Sequence, residues 1–177
     1  MSYESLDYRL EGRHRGYEIR RYDSHLVAET VVAGTFDGSG NEAFRRLAGY
    51  IFGNNSASLK MAMTVPVMRT AAEGGHEYRF VIGRAFTEGT LPDPQDARVT
   101  IRRIPAGVFA VTRYRGSPGE HRYRREKLSL LDRLAIDGIV PAGPPFAAVY
   151  NGPFTPPPLR RNEVLVPIAW DEADPAA

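Results

Sequence analysis

Cysteine is absent from this 177-residue chain, which removes disulfide staples, thiolate catalysis and thiolate-held zinc or iron–sulfur centres together. Histidine occurs four times, as His14, His25, His76 and His121, and no two of these are spaced as a metal pair on one helix or strand. No Gly-x-Ser-x-Gly elbow, P-loop or dinucleotide fingerprint occurs, so the residues make no positive case for an enzyme. No run approaches the ~20 apolar residues of a membrane span, and the first residues carry neither a basic cap nor an apolar stretch. The expectation is a cytoplasmic protein with no membrane partner. Basic and acidic residues nearly cancel, to a net charge of +2, which gives little support for a nucleic-acid partner.

What remains is a chain of one-domain length, 1–177, able to bury a core without staples. Its central stretch, Lys60 to Met68, alternates strictly and sets Met61, Met63, Val65 and Val67 on one face of an extended segment. Two adaptable thioethers beside two valines suit either core packing or a surface for a large, flat, apolar partner. After a polar lead-in through Gly16, Tyr17–Tyr22 alternates apolar and charged residues as a half-buried strand, and Leu26–Ala33 is a second, β-branched strand ending at Gly34. Ser39 and Glu42 have capping-box spacing. Phe44, Leu47, Ala48 and Ile51 follow at helical intervals until Gly53-Asn54-Asn55. Glu77–Ile82 reads as the hairpin partner of the methionine strand, and Pro92-Asp93-Pro94 as a connector.

The pattern then recurs. Ile19-Arg20-Arg21, Ala28, Thr30 and Gly34 match Ile101-Arg102-Arg103, Ala110, Thr112 and Gly116 at a constant offset of 82 residues, which argues for a duplicated unit. The second copy continues with a helix from about Glu120 to Gly138 and two strands, Phe146–Tyr150 and Glu163–Ile168, around the proline-rich loop 153–161. The repeats run over about 17–90 and 97–170, with 171–177 a flexible tail. A duplicated strand–helix–strand–strand unit with pseudo-twofold symmetry predicts an α+β fold in which two helices pack on a shared sheet or open barrel, leaving a groove where the copies meet.

Among charged residues, Arg113, Arg115, Arg122, Arg124, Arg125 and Lys127 are interrupted by Glu120 and Glu126, as on a solvated helix face with i,i+4 pairing. Arg160 and Arg161 close the proline-rich loop, where they suit bidentate contacts to a carboxylate or phosphate, or a salt bridge to Glu163. Of the histidines, His25 has the strongest claim to a role, because it stands at the turn into a core strand.

Tyr17–Tyr22, Tyr50–Asn55, Met61–Val67 and Arg161–Val164 resemble, in order, the signature segments of the SOUL heme-binding protein family, over a core of about 15–170. The resemblance implies a distorted antiparallel β-barrel flanked by two helices, similar also to gyrase-inhibitor-like effector-binding domains. It implies reversible, non-catalytic binding of heme or a related tetrapyrrole in an apolar cleft between the first helix and the loop before the last strand. Mapped onto this chain, the cleft is Phe44, Leu47, Ala48 and Ile51, with Phe154 and Leu159 opposite. Arg45, Arg46, Arg160 and Arg161 would then meet the propionates. Heme is the implied non-covalent cofactor, held by packing and propionate contacts with His25 the only candidate axial ligand. The alternative is an effector-binding protein for another small amphipathic or aromatic molecule, for which Glu163 is the candidate buried carboxylate facing the groove. A third is an enzyme acting on heme or a small ester or epoxide, which requires a general base in the cleft.

Overall fold

The structure is a computed structural model that describes residues 3–152 and 154–171. Strands β1 (Glu4–Ser5), β2 (Arg9–His14), β3 (Tyr17–Tyr22) and β4 (His25–Val32) precede helix α1 (Gly40–Ile51). Strands β5 (Thr64–Val65), β6 (Val67–Ala72), β7 (Gly75–Val81), β8 (Thr100–Ile104) and β9 (Gly107–Arg115) precede helix α2 (Glu120–Ile136). Strand β10 (Phe146–Val149), a single 3-10 turn at Pro157–Leu159 and strand β11 (Arg161–Pro167) follow. Residues 172–177 of the expected tail 171–177, and Pro153 of the proline-rich loop, lie outside the described residues.

Nine strands form one antiparallel sheet in the order β2-β3-β9-β11-β10-β6-β7-β4-β8, and β1 pairs with β5 in a separate parallel ribbon. The expected barrel is not formed: the sheet is open, with β2 and β8 at its edges. Closure requires edge strands to exchange hydrogen bonds. Here the edges carry Arg9, Glu11 and Arg13 on one side and Arg102 and Arg103 on the other, charges that remain solvated and oppose further pairing. The polar lead-in also differs from expectation, since β2 lies within it.

The methionine stretch is not one strand. Met61 is buried in the core beneath α1, and a cis Val65–Pro66 peptide separates β5 from β6. The alternation holds across the break, with Met63, Val65, Val67 and Arg69 partly exposed and Thr64, Pro66, Met68 and Thr70 buried. Ser39 stands at the N-cap of α1 but makes no capping bond. Its hydroxyl donates to Thr35 O at 2.9 Å instead.

Cross-strand partners point to one side of a sheet, and the registers put both helices on the same face. Helix α1 buries Leu47, Ala48 and Ile51 over β4 and β7. Helix α2 buries Tyr123, Leu130 and Leu134 over β9 and β11. Between them the antiparallel β6–β10 pairing, with Ala147 opposite Arg69 and Val149 opposite Val67, has no helix above it. The opposite face holds a separate cluster of Tyr22, Met68, Val111, Ala148 and Leu165, with Leu6 of the N-terminal segment packed on it. Residues that recur at the 82-residue offset meet in exchanged positions, Ile19 beside Ala110 in β3–β9 and Ala28 beside Ile101 in β4–β8.

Docking of α2 rests on few side chains, and Leu130 is fully buried whereas Leu128 is about half exposed. Leu130→Ala should cost about 2–5 kcal/mol of unfolding free energy in a urea titration, and Leu128→Ala less than about 0.5 kcal/mol.

Candidate functional site

The uncovered strip over β6 and β10 is the floor of an open groove of about 470 Å³. The period-two alternation that buries Thr64 and Met68 turns Met63, Val65 and Val67 into it, and Val149, Phe80 and Tyr78 continue the floor across the neighbouring strands. One wall is the start of α1, where Gly40 and Phe44 stand one helical turn apart and the Phe44 ring packs edge-on against Phe80 at 5.5 Å. The other wall is the segment after β10, comprising Tyr150, Asn151, Gly152 and Phe154, with Pro118 and Tyr3 at the ends.

One cation interrupts this apolar surface. Arg69 rises from β6 into the groove, its guanidinium 3.1 Å from the centroid of the Phe36 ring. It donates to the Phe36 carbonyl and to Tyr78 Oη, the latter at 3.0 Å. Tyr78 Oη lies 2.7 Å from Ser39 Oγ, and because the Ser39 proton goes to Thr35, Tyr78 donates to Ser39. Among the described residues Arg69 has no carboxylate within ion-pairing distance. A half-buried guanidinium whose neighbours are neutral is poised for an anion.

Behind the Tyr150 wall lies a buried ion cluster. Glu163 is 0% exposed. Its Oε2 accepts from Arg20 Nη1 at 3.0 Å and Tyr150 Oη at 2.9 Å, and its Oε1 accepts from Arg161 Nη2 at 2.8 Å. The Arg161 guanidinium also lies 3.9 Å from the Tyr150 ring centroid. Burial alone would raise the Glu163 pKa, but Arg20 and Arg161 outweigh it and hold the carboxyl below its ordinary value. Burial and the adjacent Glu163 charge push the Tyr150 hydroxyl well above the usual tyrosine range.

The sequence-derived site is only partly brought together here. Phe44 and Phe154 line the groove. Leu47, Ala48 and Ile51 do not; they belong to the core under α1, because the centre of the helix's apolar stripe faces β4 and β7. Leu159 is exposed on its 3-10 turn, outside the lining. Arg45 and Arg46 pair with Glu42 at 2.6 and 2.8 Å, Arg46 reaching also to Thr30 and Val31. Arg160 Nε donates to Thr155 O at 2.7 Å, and Arg161 belongs to the Glu163 cluster. His25 is on the sheet face opposite the groove, with Nδ1 2.9 Å from Asp23 O, and burial lowers its pKa. None of the four histidines lines the groove. Arg69, Tyr78 and Tyr150 were not anticipated, although the phase of Met63, Val65 and Val67 extends to Arg69. Among the described residues no group of His, Asp or Glu is arranged to hold a metal ion, and no helix is long and apolar enough to cross a membrane.

The sequence model described as SOUL heme-binding protein matches residues 3–167. The chain belongs to the SOUL heme-binding protein family. No significant match is found among curated proteins. Solved structures share the fold. A hydrolase from Listeria innocua is 11% identical, with 90% of this chain and 94% of that chain covered and a TM-score of 0.66. The C-terminal domain of EcmrR is 12% identical, with 93% and 99% covered and a TM-score of 0.61. An uncharacterized conserved protein from Listeria innocua is 11% identical, with 88% and 93% covered and a TM-score of 0.67. At such identities the likeness is one of fold. Membership of a heme-binding family makes heme a candidate non-covalent ligand of this chain.

Because the folded-state pKa of Glu163 is depressed, its contribution to stability is present above the ordinary carboxylate value of 4.5 and lost as pH falls through the lowered folded value. Glu163→Gln should destabilise at neutral pH by about 3–5 kcal/mol. Its urea midpoint should also fall less than that of the wild type between neutral and acid pH.

Proposed function

We propose that this chain is a non-catalytic binding protein that takes up heme or a related tetrapyrrole reversibly in the groove over β6 and β10. The observation that carries the reading is Arg69, a cation without a carboxylate partner among the described residues, on the floor of an otherwise apolar groove. A volume of about 470 Å³ lies within the usual range of ligand sites, roughly 300–1,000 Å³. The residues fit a flat apolar body bearing an acidic arm: Phe44, Phe80, Val67 and Val149 would contact the macrocycle, and Arg69 a carboxylate. Heme, when bound, supplies an iron centre and a chromophore. The fit concerns the macrocycle and its acid, since no histidine is in the lining. Withdrawing apolar surface from water at ~25 cal/mol per Å² supplies affinity without an iron ligand.

The exchanged pairings of Ile19 with Ala110 and Ala28 with Ile101 support reading the chain as a duplicated unit whose pseudo-twofold axis passes through β6–β10, under the groove. A second reading keeps the groove and changes the occupant to another amphipathic or aromatic effector. Glu163 bears on it, being buried behind Tyr150, yet Arg20 and Arg161 already neutralise its charge. That favours an aromatic acid over a cation.

Titration with hemin and with metal-free protoporphyrin should give saturable Soret and fluorescence changes at micromolar ligand. Their absence from both overturns the reading. Arg69→Ala should weaken protoporphyrin on the order of tenfold, Phe44→Ala should weaken both ligands, and His25→Ala should leave the hemin spectrum unchanged.

A further inference from the structure

A second cavity, about 190 Å³, opens on the α2 side of Arg69. This volume is under half that of the groove, too small for a macrocycle and suited to one carboxylate or phosphate group. Arg69 is common to both cavities. It is held between them by the Phe36 ring, which stacks in turn on Tyr123 at 5.1 Å.

The lining is unlike that of the groove. Arg69, Arg124 and Lys127 bring three positive charges and Glu120 one negative. Glu120 is taken by Arg124 at 3.2 Å. Lys127 is half-buried with its ammonium 5.6 Å from the Tyr123 ring centroid, and among the described residues it has no carboxylate within ion-pairing distance. His76 adds a buried Nδ1 without a hydrogen-bond partner, its ring edge-on to Phe36 at 5.8 Å. Two cations without carboxylate partners thus line a space of anion size. An oxyanion there would pair with Lys127 and Arg69.

We infer that this cavity is an oxyanion subsite for a carboxylate or phosphate, electrostatically coupled to the groove through Arg69. The anion is either the second acidic arm of the groove ligand or a free inorganic anion bound beside it. Only the first alternative rests on the tetrapyrrole reading.

Inorganic phosphate is the probe. Titrated into the 15N-labelled full chain, it should shift amides in the first turns of α2 and around His76 saturably. Lys127→Ala should weaken this binding on the order of tenfold, Arg124→Ala should weaken it less, and Arg103→Ala, on the far edge strand, should leave it unchanged. Wild-type-like circular dichroism of each variant separates lost binding from lost fold. Phosphate shifts that map elsewhere, or a Lys127→Ala protein that binds as the wild type does, overturn the subsite. Protoporphyrin and its dimethyl ester identify the source of the anion. If the ligand's own arm enters, phosphate competes with the diacid and not with the ester. If a free anion is bound, both affinities survive saturating phosphate. Phosphate binding that depends on Lys127 in a protein that takes up no porphyrin would keep the subsite and reject the groove reading.

Discussion

A carboxylate sealed from water must find its counter-charge inside the protein, and Glu163 finds it on three strands at once. Arg20 comes from β3, Arg113 from β9 at 3.5 Å and Arg161 from β11 itself, while Tyr150 brings a hydroxyl donor from the end of β10. Removing any one partner would leave charge or donor stranded in a medium that solvates it poorly. The cluster therefore ties β3 to β11 and β10, strands to which the backbone ladder connects it only through β9. It also fixes the point from which the groove wall departs, because Tyr150 belongs both to that wall and to the cluster beneath it.

The groove itself follows from a mismatch of widths. Nine strands spaced about 4.8 Å apart span roughly 38 Å, whereas two helices of about 10–12 Å each cover little more than half of that. With α1 drawn to β4 and β7 and α2 to β9 and β11, the strip left bare is the middle one. Coils before β5 and after β10 edge this strip with Met63, Asn151 and Phe154. Loops can be reshaped with little effect on the sheet, which fits a fold shared at 11–12% identity by proteins as different as a hydrolase and the C-terminal domain of EcmrR.

Local pattern carried much of this architecture. Strand β3 is legible to the residue in the alternation of Tyr17 to Tyr22, and α2 in its apolar spacing up to Gly138, whose φ of +71° ends the helix. Strand β2 was not legible, since Arg9 to His14 contains one apolar side chain. At the site the limit is different. An amphipathic stripe such as Phe44, Leu47, Ala48 and Ile51 reports what a helix buries, and three of these four are buried by the sheet and not by a ligand. Arg161 beside Glu163 could be read from adjacency, but Arg20 is 143 residues away from Glu163. The support for Arg69 comes from Phe36, 33 residues earlier.

Phe154 is 98% exposed and Phe44 50% exposed on opposite sides of the same groove. Two aromatic faces this exposed carry a large apolar hydration shell. Any molecule that covers both must release that water, so its association carries a negative change in heat capacity. The temperature dependence of its binding enthalpy then measures how much apolar surface is covered in total, whatever the molecule is. The apolar share of the attraction also fades on cooling, leaving the polar contact at Arg69 a larger part of what holds the occupant.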